Sequence, residues 1–571
     1  MFYVLGAVEA KSGQFCGILS EKHRSVEFLG LIDTMLEVWP DNELYMVMDN
    51  DIIHQSEITN SQLENNKEKY SRFHRVFLPT YCTVETAFFR KTRFFIAFKE
   101  QIMRHLFIDD YMIGRIEGLR RVVNQPTKYP GNPVIKPDTP WEGYCSIYGT
   151  AMYDERENLF RMWYLITPRD RGKRPLPHRG RLRAPHTTLA AYATSVDGIH
   201  WAKPNLSQFP YDDIAETNLL DIGKYNCEGI SVLLDPLAPD SERRYKAFYW
   251  DHGSGGFQER EDGRMLCLPG PEDGACVAFS PDGLRWTEYD GNPVIKAYCD
   301  TNQTVVWDAN IKRYVAFSRF GFGRKIARSE SADFQHWSKP ELVLDTDAAD
   351  GTGTQFYGIA VDIYEGLYLG MLWVYREGID GCIDTQLGCS RDGIHWERVG
   401  DRHTFLPLDE ADSWEDGMVR SAERIIVRDD QIFIYYCGVQ GPHTGPKFPR
   451  VERKHRPAIG LATLRRDGFV SLDAGSEPGS ILTKPFRLTS GDIHLNVDAQ
   501  NGQVTLAICD ASGMPLPGLE SSEPITGDNL DAVVQWQNSE NALPFGKEIC
   551  LRIDATRAKL YSFWFCNNML R

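Results

Sequence analysis

Two kinds of periodicity divide the chain. Near its start, apolar residues at Phe28, Leu29, Leu31, Ile32, Met35, Leu36 and Trp39 fall at helical spacing. Around them "FYVLGAVEA", "GQFCGIL", "LYMVMDN" and "HRVFLPTY" are short apolar runs that predict strands. Residues 1–100 therefore read as a small α/β segment. From about residue 105 the helical spacing fades. Short alternating runs rich in Val, Ile, Tyr, Phe and Trp follow, broken by Asp-Gly, Gly and Pro, which is an all-β pattern.

Two phrases recur in the β-rich part. The first is Ser-x-Asp-Gly-x-x-Trp: "SVDGIHW" at 195–201, "SPDGLRW" at 280–286, "SADFQHW" at 331–337 and "SRDGIHW" at 390–396, with a weaker "RRDGFVSL" at 465–472. Asp can cap such a turn, Gly supplies a positive φ, and Trp returns to pack between sheets. The second phrase is a strand, an Asp-centred turn and an aromatic strand, as in "TAMYDERENLFRMWYL" and "TVVWDANIKRYVAFSRF". Five copies of each alternate, 51 to 85 residues apart for the Trp turns, and this predicts a repeat architecture. Each such repeat reads as one four-stranded blade. The expectation is a five-bladed β-propeller over 105–475, with "LFIDDYMIG" at 106–114 closing the ring.

The hexapeptide "GNPVIK" occurs at 131–136 and at 291–296, ahead of Glu142 and Asp300 respectively, and marks equivalent blade edges. After "LDAGSEPGS" the alternation in "IHLNVDA" and "QVTLAICDA" predicts a β-sandwich over 480–571. Its Trp536 and Trp564 are either sugar platforms or core residues. The fold class is thus mainly β: a propeller, then a sandwich, with a small N-terminal α/β segment.

Composition narrows the function. Of the 571 residues 42% are apolar and 25% charged, as in ordinary globular chains, and the net charge of −16 argues against a general nucleic-acid surface. No run reaches the roughly 18 apolar residues of a membrane span. Thirteen cysteines lack Cys-x-x-Cys pairs, so free thiols are expected rather than a disulfide framework or a zinc site. No metal or cofactor is expected in the site, a structural calcium in the propeller being the one alternative left open. The first residues show no basic and apolar leader, so a cytoplasmic location is expected, unless an export signal was lost at an N-terminal fusion.

Acidic residues just ahead of the innermost strands would converge on the central funnel. In blade order they are Glu142 in "PWEGYCSIYG", Glu228 in "YNCEGISVLL" and Asp300 in "YCDTNQTVVW". Blade four offers Gln355 and Tyr357 in "GTQFYG", and blade five Glu415 and Asp416 in "SWEDGM". Each acid also has a plain reading as a turn cap or an ion-pair partner. Glycoside cleavage needs one protonated and one ionised carboxyl, and converging like charges push their pKa values apart.

The Trp turns, "LFIDDYMI", "CDTNQ" and "QFYG" followed by "YEGLYLG" resemble the five-bladed glycoside hydrolases of families 32, 43, 68 and 117 over about 105–475. In those families three funnel carboxylates act as base or nucleophile, acid, and orienter. By blade position the resemblance implies Glu142, Glu228 and Asp300 as catalytic residues. Trp141, Gln303, Gln355, Tyr357 and Asp416 are the expected substrate-binding residues. No sucrose-box or Arg-Asp-Pro phrase is present, so fructan chemistry is not implied. The expected partner is a carbohydrate, and the alternative function is a propeller that binds sugars or proteins without catalysis.

Residues 1–100 resemble the RNase-H-like catalytic domain of mariner-like DDE transposases, through "GAVEAKSGQF", "LYMVMDNDIIH" and "FLPTYC". The resemblance places Asp49 at the second metal-binding carboxylate. The first would lie on a strand ahead of "FYVLGAVEA", and Glu85 in "TVETAFF" replaces the third poorly. A transposase-derived segment without a complete two-metal set is expected. The insertion "PRDRGKRPLPHRGRLRAPH" at 168–186 reads as a basic solvated loop that could alternatively gather an acidic sugar. His200, His336 and His395 repeat with the Trp turns and read as structural.

Overall fold

A computed structural model describes residues 103–566, interrupted at 170–175, 179–180, 184–187, 236–237, 239, 260–264, 444–451, 489–490 and 537–542. It also describes 3–9, 15–20, 32–33, 44–48, 73–77 and 94–99. The chain divides into two compact units. One comprises 1–105, 112–119 and 474–571, and the other 106–111 and 120–473.

The second unit is the five-bladed propeller. Blade one pairs Glu142–Asp154, Leu159–Pro168 and Leu189–Ser195, and blade two Glu228–Leu234, Tyr245–Asp251, Gly274–Ser280 and Thr287–Glu288. Blade three pairs Thr304–Asp308, Arg313–Ser318, Ile326–Ser331 and Glu341–Leu344. Blade four has Thr354–Tyr364, Leu367–Arg376 and Ile383–Ser390, edged by Glu397–Arg398 and Thr404–Leu406. In blade five the innermost strand is split into Met418–Ser421 and Ile426–Arg428, both paired with Gln431–Val439, and Ala458–Arg465 follows.

Polar stitching joins the five innermost strands. The Thr150 hydroxyl accepts from Val232 N–H (2.9 Å) and donates to Glu423 (3.3 Å), and Ser231 accepts from Val305 N–H (3.0 Å). Arg424 donates to the Val305 carbonyl (2.8 Å) and to Asp362 (3.2 Å). These bonds satisfy buried groups that would otherwise be costly at the centre of the ring.

The Trp turns of blades one to four fasten each of them to the blade before it. Ser195 Oγ accepts from Gly198 N–H (2.9 Å), and Asp197 Oδ1 accepts from the N–H groups of Ile199 and His200 (2.9 and 2.8 Å). The same pattern holds at Asp282, Asp333 and Asp392. The turns then pack on the middle strand of the preceding blade. Trp201 meets Tyr435, Trp163 donates to the Gly283 carbonyl (2.7 Å), Trp337 meets Phe248, and Trp396 meets Phe317. His200, His336 and His395 each sit 2.7 Å from the aspartate of their own turn, which is a structural role.

Gly283 has φ +77°, and an added Cβ would lie 2.8 Å from the Trp163 ring. Left-handed strain and overpacking act together there, so Gly283→Ala is expected to cost about 3 kcal/mol. Chemical denaturation would show it as a lower midpoint; an unchanged midpoint would contradict this role for the turn.

The two "GNPVIK" copies are structurally equivalent. The Asn132 side chain bonds both backbone groups of Leu461 (2.8 and 2.9 Å), and Asn292 bonds both of Val277 (2.9 Å each). Each side chain thus extends the third strand of a blade, five and two respectively, before the chain crosses to the next blade. The ring is closed here rather than by 106–114. Thr127–Lys128 pairs with Ala462 and Thr463 of blade five, and Ile135 bridges Ile459. Leu106 and Ile108 are instead buried in the apolar core beside Tyr364 and Leu367, and Asp109 forms a two-pronged ion pair with Arg391 (2.8 and 3.0 Å). Apolar burial holds Leu106 and Ile108 there, and Ile113 pairs with Thr483 instead of with blade five.

In the first unit, Ile113–Glu117 pairs with Gly479–Thr483, which pairs with Glu548–Thr556. The long strand Asp492–Cys509 serves two partners. Its first half pairs with Ile525–Val533 and Lys559–Cys566, and its second half pairs with Glu548–Thr556. Changing partners midway in this manner builds the β-sandwich. Trp564 is buried between His494 and Arg104 and is a core residue; Trp536 bridges Ser522.

The N-terminal strands Tyr3–Glu9, Phe15–Ser20, Leu44–Met48 and Phe73–Phe77 match the apolar runs, and Phe94–Lys99 adds a fifth. Ile32 and Asp33 are helical, whereas Asp49, Glu85 and most of the insertion at 168–186 lie outside the described residues. Among the described residues no helix is long and apolar enough to cross a membrane.

Candidate active site

Glu228 opens the innermost strand of blade two, and the 299–303 loop of blade three passes directly against it. The reason is Gly229, with φ +66°: a Cβ there would lie 2.7 Å from the Thr301 carbonyl and 2.8 Å from Gln303 N. A glycine at this point lets the loop carry Asp300 in beside Glu228. On its other side, Thr301 donates to the Tyr357 carbonyl (2.8 Å) and Asn302 donates to the Ile359 carbonyl (2.6 Å). The loop is therefore clamped between blades two and four.

Around the two carboxyls sits a ring of partners. His252 Nε2 is 3.2 Å from Glu228, also touches Asn226, and its ring stacks on Trp250 at 3.9 Å. Tyr298 donates to Asp300 (3.0 Å) and is 60% exposed, an open aromatic face at the site. Arg319, nearly fully buried, donates to the Asp300 carbonyl (2.5 Å) and lies 3.9 Å from its carboxylate.

The electrostatics separate the two acids. Burial, and next the charge of Glu228, raise the Asp300 pKa; Arg319, Tyr298 and His252 oppose this less strongly. For His252, burial alone would favour the neutral ring. The hydrogen bonds and charges of Cys267 and Glu228 outweigh it and push the pKa up to about 10. His252 is then an imidazolium, 3.2 Å from the Glu228 carboxyl group.

This pair has a pH signature. Folding raises His252 from 6.5, so its contribution to stability is complete below about pH 6.5 and is lost as pH rises toward 10. His252→Gln is expected to lower stability at pH 6 by about 2 kcal/mol and to flatten the decline above pH 7. Melting curves from pH 6 to 10 check it; an equally steep decline in the variant would contradict the pairing.

The structure does not bring Glu142 to this pair. Glu142 is fully buried, and its oxygens are taken by Tyr164 (2.9 Å), Lys203 (2.7 Å) and the N–H groups of Asp138 and Thr139 (3.1 and 3.2 Å). It ties the incoming turn to blade one. Trp141 is likewise buried, donating to Asn218 (3.0 Å), and presents no face to a sugar. Gln303 is fully buried and donates to the Cys299 and Thr301 carbonyls (2.9 and 3.1 Å), so it shapes the loop that carries Asp300. Asp416 accepts from Asp412 N–H and Gly441 N–H (2.7 Å each), and Glu415 is buried against Lys128 (3.1 Å). Both hold the loops of blade five.

Gln355 and Tyr357 lie on a second group of polar residues. Gln355 bonds Arg324 (2.6 Å) and Glu377 (2.7 Å). Tyr357 is half-buried, with Arg319 over its ring at 4.7 Å and His443 at 3.2 Å from its hydroxyl. Arg319 thus links Asp300 to this group. His252, Tyr298, Arg319, Arg324, Arg420 and His443 were not evident as site residues in the sequence. Their only signal is position, at or just beyond the ends of strands that approach the funnel.

No family model matches the chain, and no curated protein matches it. Solved structures do. A glycoside hydrolase is 15% identical with a TM-score of 0.40, covering 60% of this chain and 92% of that one. The exo-inulinase of Aspergillus awamori is 12% identical with a TM-score of 0.36, covering 78% and 99%. The β-1,2-mannobiose phosphorylase of Listeria innocua is 11% identical with a TM-score of 0.39, covering 59% and 96%.

Proposed function

We propose that this protein cleaves glycosidic bonds in the propeller funnel, with Asp300 as general acid and Glu228 as the opposing base or nucleophile. The supporting observation is the pairing itself. Two carboxyls on adjacent blades sit in contrasting surroundings, one raised by burial and then by its neighbour's charge, the other 3.2 Å from the His252 ring. That contrast is what acid and base roles need at one pH. Tyr298 offers a platform for a sugar ring, and Arg319 positions Asp300 through its backbone carbonyl.

The test is turnover of aryl glycosides and oligosaccharides by the purified protein, read as released aglycone or reducing ends. Release that depends on Glu228 and Asp300 supports the reading. The exposed Tyr298 also fits a sugar binder without catalysis; saturable sugar binding with no turnover across the panel would favour that reading instead.

A further inference from the structure

Four arginines from blades three and five gather near one histidine. Arg319, Arg324, Arg420 and Arg453 all act electrostatically on His443. Arg420 stands on the innermost strand of blade five, 91% buried, with its guanidinium 4.6 Å from the centre of the Tyr148 ring and 5.8 Å from that of Tyr357. Its Nη atoms meet the Tyr148 hydroxyl and Cys437 Sγ (3.5 Å), but its Nε has no partner. No carboxylate among the described residues pairs with it. His443 touches Tyr357 and Tyr375, each ring centre 5.0 Å away, and its Nδ1 is buried without a partner.

The nearby acids are already engaged. Glu377 is shared between Gln355 (2.7 Å) and Arg324 (3.7 Å), and Asp300 belongs to the pair with Glu228. A buried guanidinium normally has an anion beside it, because the unpaired charge is costly. Here the described residues supply none to Arg420, although the net charge of the chain is −16. Arg324 is 29% exposed and Tyr357 half-buried, so the group is open to solvent on one side.

The geometry points to an oxyanion site in the funnel, formed by Arg420, Arg324, His443 and Tyr357, which takes either a carboxylate on the sugar or free inorganic phosphate. An oxyanion there gives Arg420 the partner it lacks and can use the planar donors of two guanidinium groups. Arg319 connects this site to Asp300, so a carboxylate bound here would belong to the ligand whose bond Asp300 faces. This site deepens the glycosidase reading and rests on it only in that the bound carboxylate would belong to a sugar whose bond is cleaved.

Calorimetry and thermal melting with glucuronate, galacturonate and inorganic phosphate test it, with glucose and galactose as neutral controls. Wild-type protein is expected to bind at least one oxyanion, and Arg420→Gln and Arg324→Gln to weaken that binding by about tenfold or more. Binding of a uronate alone assigns the site to a sugar carboxylate, and binding of phosphate alone assigns it to the free anion. If no oxyanion binds, or if both variants bind as wild type does, the site is refuted. Arg324→Gln keeps the test decisive should Arg420→Gln fail to fold, because Arg324 is partly exposed. Oxyanion binding without turnover of any glycoside would refute the hydrolase alone. Turnover of neutral glycosides with no oxyanion binding would refute this site alone.

Discussion

Glu228→Gln is expected to lower turnover by about 10³-fold on every substrate the protein accepts, with the fold intact. The change keeps the shape of the side chain and removes the acidic group that His252 faces at 3.2 Å. Asp300→Asn should separate from it by leaving group. On unactivated glycosides the loss should be similar, because the departing oxygen needs a proton. On a dinitrophenyl glycoside, whose aglycone leaves without one, the first bond cleavage should be largely spared. Rates for the two variants on the two substrate types check this. Equal losses for both variants on both substrates would contradict the division of roles.

Glu142→Ala is expected to cost 3–5 kcal/mol in stability, about what breaking one side of a buried ion pair does, while leaving turnover per folded molecule intact. The substitution would strand Lys203, only 13% exposed, together with the Tyr164 hydroxyl and two backbone N–H groups. Glu142→Gln should cost less, since the amide can still accept from Tyr164. Denaturation midpoints and active-site-normalised rates together check it. A Glu142→Ala protein as stable as wild type yet inactive would return Glu142 to the chemistry.

These two acids show how far the sequence is legible. The blades could be read because four of them are written locally, in a Ser, Asp and Trp that close one turn with short-range bonds. The repeated "GNPVIK" was readable for the same reason: both copies use Asn to extend the edge of a blade. Glu142 and Asp300 follow these copies at different distances, six and four residues after the last lysine. That offset separates a buried ion pair from a half-exposed carboxyl. Nothing in the local sequence declares it, because the deciding partners are Lys203 in one case and Glu228, His252 and Arg319 in the other.

The arginine group was hidden more completely. Arg319, Arg324, Arg420 and Arg453 span more than a hundred residues and share no motif. They meet only because blades three and five both face the funnel next to Tyr357. Ring closure was misplaced for a related reason. "LFIDDYMIG" is mostly apolar, yet its Leu106 and Ile108 are taken by the core and its Ile113 pairs with Thr483, and the less apolar Thr127–Lys128 completes blade five.

The pH dependence of kcat/KM on an aryl glycoside tests the central claim most directly. A general acid at Asp300, raised by burial and by Glu228, predicts a profile that falls on the alkaline side at a pKa above the usual carboxylate range. In Asp300→Asn, measured on the same aryl glycoside, that alkaline limb should disappear from the residual activity. Absence of turnover on any glycoside, or an alkaline limb unchanged in Asp300→Asn, would contradict the assignment.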